Sequence, residues 1–393
     1  MGLPGINIRY MNGQLGTVPE SQDGLLALAV IGATAVPSTF TLGTAYTIYR
    51  PQGLEDLGVT AENNARLVEI VSQVYSEAPE GTPLVVVGYE SSDTMTALCD
   101  KATGKLKGLL ESQGGALRGI VLATAEDSDD DAAEGLDADV FTALAKGQEL
   151  AEYAASELYA PIFIAFEGAG YKDSASLKNL SEETCNRCCV IIGDVTSGSK
   201  HAAMGTFAGR VAASAVQRNI GRVADGKLAP LQMYIGTKPV ESAKDDITTI
   251  YGKGYITPRT YVGRTGYFWT DDRMACEDTD DYAHLTARRT VDKAARIAYD
   301  TLLDYMLGEI ETNEDGTMQQ DVLKSWQAEV ESSIDTQMTA KGELSSTDGS
   351  GCSCYIDPSQ NVVSTSTINM TLKVRPFGYA RTINVDLGFQ VAN

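Results

Sequence analysis

Histidine is nearly missing from this chain. Its 393 residues hold two, His201 and His284, so any catalytic triad or imidazole base would have to use one of them. Both stand where helical patterns begin, an ordinary place for a histidine. Phosphate loops are missing as well. No GxxxxGK[ST] occurs, because Gly104-Lys105 runs into Leu106, and EGAGYKD and YGKGYITP each lack the third glycine of GxGxxG. Without such a glycine loop at a helix start, nothing in the sequence marks a nucleotide-phosphate cradle. The nucleophile elbow GxSxG and the zinc-binding HExxH are absent too. The reading is therefore no enzyme: no catalytic residue and no cofactor.

Bases are scarce, with 31 Lys and Arg against 53 Asp and Glu, a formal charge of −22. That balance argues against nucleic acid as a partner, since such binding rests on neutralised phosphates. No apolar run approaches the ~20 residues of a membrane span, so no membrane insertion is expected. MGLPGINIRYMNG lacks the order of a signal peptide, and a cytosolic origin is the default. Seven cysteines, an odd number without that signal, read as reduced thiols. Cys185, Cys188 and Cys189, with His201 as a fourth, are the nearest thing to a zinc set. Their spacing is incomplete, and Cys188 and Cys189 run into an apolar strand, so no metal is expected. DDRMACEDTDD (271–281) lacks the order of a calcium loop and reads as a solvated acidic loop.

What is present is a recurring theme. LLALAVIGA (25–33), PLVVVGY (83–89), RGIVLAT (118–124), APIFIAF (160–166) and CCVIIGD (188–194) are apolar throughout, as strands buried on both faces are. Helical patterns come after them at 64–78, 93–113, 140–158, 178–186 and 201–225. This predicts a doubly wound, mostly parallel α/β domain. After a loop-rich stretch (226–264), a long helix is predicted over 285–310 with Val291, Ala294, Ala295, Ala298, Leu302, Tyr305 and Met306 inward. A second is predicted over 321–340 on Val322, Trp326, Val330 and Ile334. INMTLKV then alternates at Ile368, Met370, Leu372 and Val374.

The chain closes on TINVDLGFQVAN, where Ile383, Val385, Leu387, Phe389 and Val391 alternate without a miss. This is a half-buried strand. RPFGYAR before it is too long for a tight turn, so the strand need not pair with INMTLKV. It either completes its own sheet or adds to another chain's. From 359 to 393 the bases Lys373, Arg375 and Arg381 face Asp386 alone, a mildly basic stretch on an acidic protein.

The segment GRTGYFWTDDRMACEDTDDYAHLTARRTVDKAARIAYDTLLDYM, together with the rest of the chain to Asn393, resembles the C-terminal part of contractile-tail sheath proteins of phages and phage-tail-like injection systems. The likeness lies in an ordered set: an aromatic-plus-arginine strand, an acidic loop, then Tyr282 and Arg288-Arg289 opening a long helix. A Trp326 helix, a strand-turn-strand ending near Arg375-Pro376 and the terminal strand complete the set. The α/β middle and GLPGINI fit more loosely.

The resemblance implies four parts: an N-terminal arm (1–24), an α/β domain (25–264), a C-terminal α+β sheath domain (265–375) and a C-terminal arm strand (376–393). It implies that Ile383, Val385, Leu387, Phe389 and Val391 form a strand donated to a neighbour. Ile6 and Ile8 would form the N-terminal arm, and Ile368, Met370, Leu372 and Val374 would belong to the acceptor sheet. Subunits would stack as hexameric rings around an inner tail tube, with baseplate and tail terminator proteins as further partners. They would assemble in the bacterial cytoplasm into a virion tail or injection particle, and the 321–340 helix would touch the tube. Two alternatives stay open on the sequence. One is an α/β enzyme, hydrolase-like, with a site near Gly88, Thr124, Glu167 and Asp194; the other is a self-assembling shell protein that does not contract.

Overall fold

The apolar runs become the strands of one sheet in a computed structural model, which describes residues 22–125 and 132–389. The chain forms two compact units, Met1–Arg296 and Ile297–Asn393. In the first, β1 (Leu26–Ile31), β2 (Tyr46–Ile48), β3 (Leu84–Tyr89), β4 (Gly119–Thr124), β5 (Phe163–Glu167) and β6 (Cys188–Ile191) make a six-stranded sheet of order β2-β3-β1-β4-β5-β6. All neighbours are parallel except β2, which runs antiparallel on the β3 edge. Leu26 is level with Leu84 on one side and Gly119 on the other. The chain leaves β1 toward β3 and returns to β4 across it, so strand order reverses at β1. Every residue of β1, β3, β4, β5 and β6 is buried, which is why these strands read as continuous apolar runs.

Helices cover the sheet in two groups. α1 (Ala65–Glu77) packs with α3 (Met204–Ala213), whereas α2 (Ala138–Ser156) packs with the short helix Met95–Cys99 and with β5. α1 buries Leu67, Ile70, Val71 and Val74, each contributing roughly 1.5–3 kcal/mol. The close approach of α3 rests on two glycines. A Cβ at Gly205 would lie 2.1 Å from the Ile70 carbonyl oxygen, and one at Gly209 would lie 2.3 Å from that of Val74.

Several helices expected from periodicity are shorter than expected. The 93–113 pattern breaks into Met95–Cys99 and Lys105–Ser112, because the Asp100 carboxylate accepts the amides of Ala102 and Thr103 at 2.9 Å and offers the backbone a turn instead. The 178–186 stretch holds one 3-10 turn, Leu180–Glu182, then a short strand, Thr184–Cys185. The 201–225 helix is limited to α3, with a 3-10 turn at Val223–Asp225. Lys244–Gly252 is a helix within the stretch read as loop, carried by buried Ile247 and Ile250. Phe268–Trp269 pairs with Pro258–Arg259, and Ala275–Cys276 with Thr184–Cys185, so these residues, like the chain after them as far as Arg296, belong to the first unit.

α4 (Leu285–Leu303) ends before Leu307, whose φ of +62° is left-handed, and so falls short of 310. Its buried positions include Arg288, Arg289, Asp292, Ala294 and Ile297, whereas Ala295 and Met306, expected inward, are exposed. The second unit contains α5 (Gln320–Ile334), which continues as a π turn over Asp335–Thr339, and a two-stranded antiparallel sheet of β7 (Cys352–Ile356) and β8 (Met370–Val374). It buries Met318, Leu323 and Ile356, with Trp326, Ile368 and Met370 partly buried against them, and also Val330, Ile334, Met338, Leu344 and Cys354. Among the described residues no helix is long and apolar enough to cross a membrane.

Candidate functional site: an open sheet edge and an unpaired terminal strand

β7 and β8 pair with Cys354 opposite Leu372. In an antiparallel ladder the backbone groups of alternate residues point at the partner or away from it. The Cys354 amide donates to Glu331 Oε1 and its carbonyl accepts from Gln327 Nε2, both at 2.6 Å. Its backbone therefore faces away from β8, and α5 side chains occupy that edge of β7. The Arg375 amide donates to the Gly351 carbonyl at 2.8 Å, which fixes the same alternation at the other end of the ladder. By this parity Thr371 and Lys373 bond β7, while Met370, Leu372 and Val374 turn their amides and carbonyls outward. Their side chains share one half-buried face, and Thr371 and Lys373 are exposed. Among the described residues the free edge of the sheet is β8. Ile368 lies just before it, half-buried and facing the cluster around Met318.

The terminal stretch has the complementary character. Residues 382–389 form no strand pair among the described residues. Ile383 and Val385 are each 76% exposed, Leu387 97% and Phe389 103%. A row of apolar side chains that wide open costs hydration free energy unless something covers it. Val391 lies outside the described residues, as do Ile6 and Ile8 of the expected N-terminal arm.

At the carboxyl ends of the parallel strands, where α/β enzymes hold their ligands, the chain fills its own crevice. Glu167 is fully buried. Its Oε1 accepts from Arg66 Nη2 at 2.7 Å and from the Ala202 amide at 2.8 Å, and its Oε2 accepts the Thr124 amide at 2.6 Å. Arg66 also donates to the Ala202 carbonyl at 2.8 Å. Asp194 is buried, its amide bonded to the Tyr234 carbonyl. Gly88 is buried within β3, its carbonyl accepting the Gly43 amide. Glu167 and the Thr124 amide thus tie loops to strand ends, whereas Asp194 Oδ1 is buried without a hydrogen-bond partner.

The 271–281 stretch is only half the solvated loop its composition suggests: residues 277–281 face solvent, but 271–276 do not. Asp271, Asp272 and Arg273 are buried. Asp272 Oδ1 accepts from Asn219 Nδ2 at 2.7 Å, Oδ2 accepts the Thr286 amide at 2.8 Å, and His284 Nδ1 lies 3.1 Å away. Asp271, Asp272 and His284 lie close enough together to face a cation, and Asp272 also holds the first turn of α4 through the Thr286 amide. Burial pushes the Cys188 and Cys189 thiols well up, as expected of cysteines that act as small core residues. Sequence reasoning missed the buried charges of α4, because arginines on a helix are ordinarily read as its solvent face.

Three solved structures are similar over the whole chain. One is a chain of the anti-feeding prophage (AFP) baseplate, with a TM-score of 0.65 at 13% identity, covering 100% of both chains. The AFP helical sheath in its contracted state gives 0.62 at 13%, covering 99% of each. The PVC sheath complex of an extracellular contractile injection system, also contracted, gives 0.60 at 14%, covering 100% of this chain and 98% of that one. No curated protein sequence matches the chain. At these identities the likeness is one of fold, and the fold is that of contractile-sheath proteins. Residues 3–273 match the N-terminal domain of DUF2586 and residues 281–393 its C-terminal domain, so the chain belongs to the DUF2586 family.

Proposed function

We propose that the protein is a structural, non-enzymatic subunit of a contractile sheath. It polymerises as stacked hexameric rings around an inner tube, and contraction drives that tube through a target envelope. The observation that carries this reading is an open β8 edge in the same chain as an exposed apolar stretch, 383–389, that pairs with no strand among the described residues. A strand of ~10 residues reaches about 33 Å, and each backbone bond it makes with a neighbour contributes about 1 kcal/mol net. In the donated strand, Ile383, Val385, Leu387, Phe389 and Val391 extend the half-buried face of Ile368, Met370, Leu372 and Val374 into the next subunit. Ile6 and Ile8 form the second tie. Such links are non-closing between identical chains and so build polymers.

Two AFP assemblies and a PVC sheath with the same fold support the reading. The strand-order reversal at β1 and the two helix groups support a doubly wound first domain. The resemblance bounds it at 25–264, between the arm at 1–24 and a sheath domain at 265–375 with the second arm at 376–393, whereas the contacts extend the first unit to Arg296. The subunit's partners are copies of itself, the inner tube, and the baseplate and terminator proteins at the ends. The α5 helix faces the tube, and nucleic acid is not a partner of so acidic a chain. Assembly takes place in the bacterial cytoplasm, before the subunit becomes part of a virion tail or injection particle.

Deleting residues 382–393 tests this. The full chain is expected to form hollow tubes with a helical repeat under negative-stain electron microscopy. The deletion variant is expected to keep its circular-dichroism spectrum and thermal transition but to stay as small particles. Collapse of the fold instead would return the strand to its own domain. Tubes that never change length would favour a static shell.

A further inference from the structure

Cations crowd the end of the central sheet where β4, β5 and β6 begin. Arg118 precedes β4, Arg187 precedes β6, and α4 adds Arg288, Arg289, Lys293 and Arg296. Two buried carboxylates answer them, and both are engaged elsewhere. Asp23 is held by Lys293 Nζ at 2.5 Å. Asp292 is held by Arg187 Nη1 at 3.1 Å and lies 3.4 Å from Arg288 Nε.

Arg118 and Arg296 make no direct ion pair; Asp23 and Asp292 favour their charged forms only from a distance. Arg118 Nη1 donates to the carbonyls of Gly115 at 3.0 Å and Ala116 at 2.7 Å. Arg296 donates to those of Gly115 and Leu117, each at 2.8 Å, and of Pro161. Carbonyl dipoles satisfy only part of the donors and leave the charges unbalanced, and the Nε of each guanidinium is buried without a hydrogen-bond partner. Burial, and then the charge of Arg118 beside it, pull Arg296 down to about 9. Burial also lowers Arg118.

Between these groups lies a cavity lined by Arg118, Arg289, Lys293 and Arg296 with Asp23 and Asp292. It leaves about 10 Å³ for the centre of a water-sized body, room for one small species and none for a phosphate. Uncompensated buried charge is costly, and arginine sheds its proton reluctantly. We propose that this cavity is a binding site for one small monovalent anion of the halide class, which balances the Arg118–Arg296 pair. The anion makes the strand-start end of the sheet a chloride-dependent element of stability in a protein whose surface otherwise repels anions.

Thermal unfolding of the full chain in chloride and in gluconate at equal ionic strength tests the site, gluconate being too large to enter. Chloride is expected to raise the midpoint by roughly 2 °C or more, saturating with concentration as binding to one site does. Chloride-35 NMR on the same protein is expected to show line broadening that bromide reverses by competition. Arg118→Gln is expected to lose the chloride increment, whereas Arg50→Gln, on the exposed surface, keeps it. Equal midpoints in the two salts, no broadening, or an increment that survives in Arg118→Gln would leave only a water in the cavity and overturn the proposal. If Arg118→Gln does not fold, the salt comparison and the line widths of the parent protein decide.

Discussion

Asp272 carries more of the fold than its sequence context suggests. Burial works to raise its carboxyl, but His284, Asp271 and the Thr286 amide outweigh it and hold the group well below the usual carboxylate range. A carboxyl whose folded value lies below its unfolded one, about 3.9, stabilises fully above about pH 4. That contribution is lost as the pH falls toward the folded value. Asp272→Asn replaces the charge with an amide whose NH2 would face other donors, Asn219 and the helix amide among them. It is expected to cost about 2–3 kcal/mol at pH 7. The gap between variant and parent should narrow as the pH drops from 4 to 3, which melting curves across that range would show. A gap constant with pH would mean that shape, not charge, supplies the effect. Nothing in DDRMACEDTDD marked this role, because a run of acids reads as solvent-facing until the fold brings Asn219 and His284 to it.

At the scale of elements, α1 and α3 meet through glycine. In an isolated helix Gly205→Ala would stabilise by up to about 1 kcal/mol. Here the new methyl would stand 2.1 Å from the Ile70 carbonyl oxygen, and carbonyls do not swing aside as side chains do. Overpacking of this kind costs about 1–3 kcal/mol, so the variant is expected to lower the midpoint in urea. A raised midpoint would mean the helices separate freely.

The same contrast explains what was legible in the sequence. β1, β3, β4, β5 and β6 were plain because burial on both faces forces unbroken apolar runs, and α1 and α2 because one face of each is apolar. The break at Asp100 depended on one side chain competing for amides, and the end of α4 depended on a left-handed residue at Leu307; periodicity registers neither. The alternation at 368–374 and 382–391 was readable, but which edge of the β7–β8 sheet stays free was not. That depends on Gln327 and Glu331 reaching across from α5 to Cys354.

The whole molecule joins a strongly negative body to an exposed apolar stretch and a free β8 edge, and under the proposed function assembly is driven by strand addition against charge repulsion. The backbone parity of β8 separates these two contributions. Proline has no amide hydrogen, and in a sheet it is tolerated on an edge strand where that hydrogen faces away from the ladder. At Leu372 the amide points away from β7, and Leu372→Pro is expected to leave the hairpin and the thermal transition close to the parent while abolishing polymers. At Lys373 the amide points toward β7, and Lys373→Pro is expected to loosen the hairpin itself, at a cost of about 1 kcal/mol or more for the lost bond. Added salt should help the parent polymerise by screening the bodies but should not rescue Leu372→Pro, since screening cannot restore a missing donor. Sedimentation of both variants at low and high salt reads this directly. Polymers of Leu372→Pro at any salt would move the acceptor away from β8 and leave the exposed terminal strand to pair with some other edge.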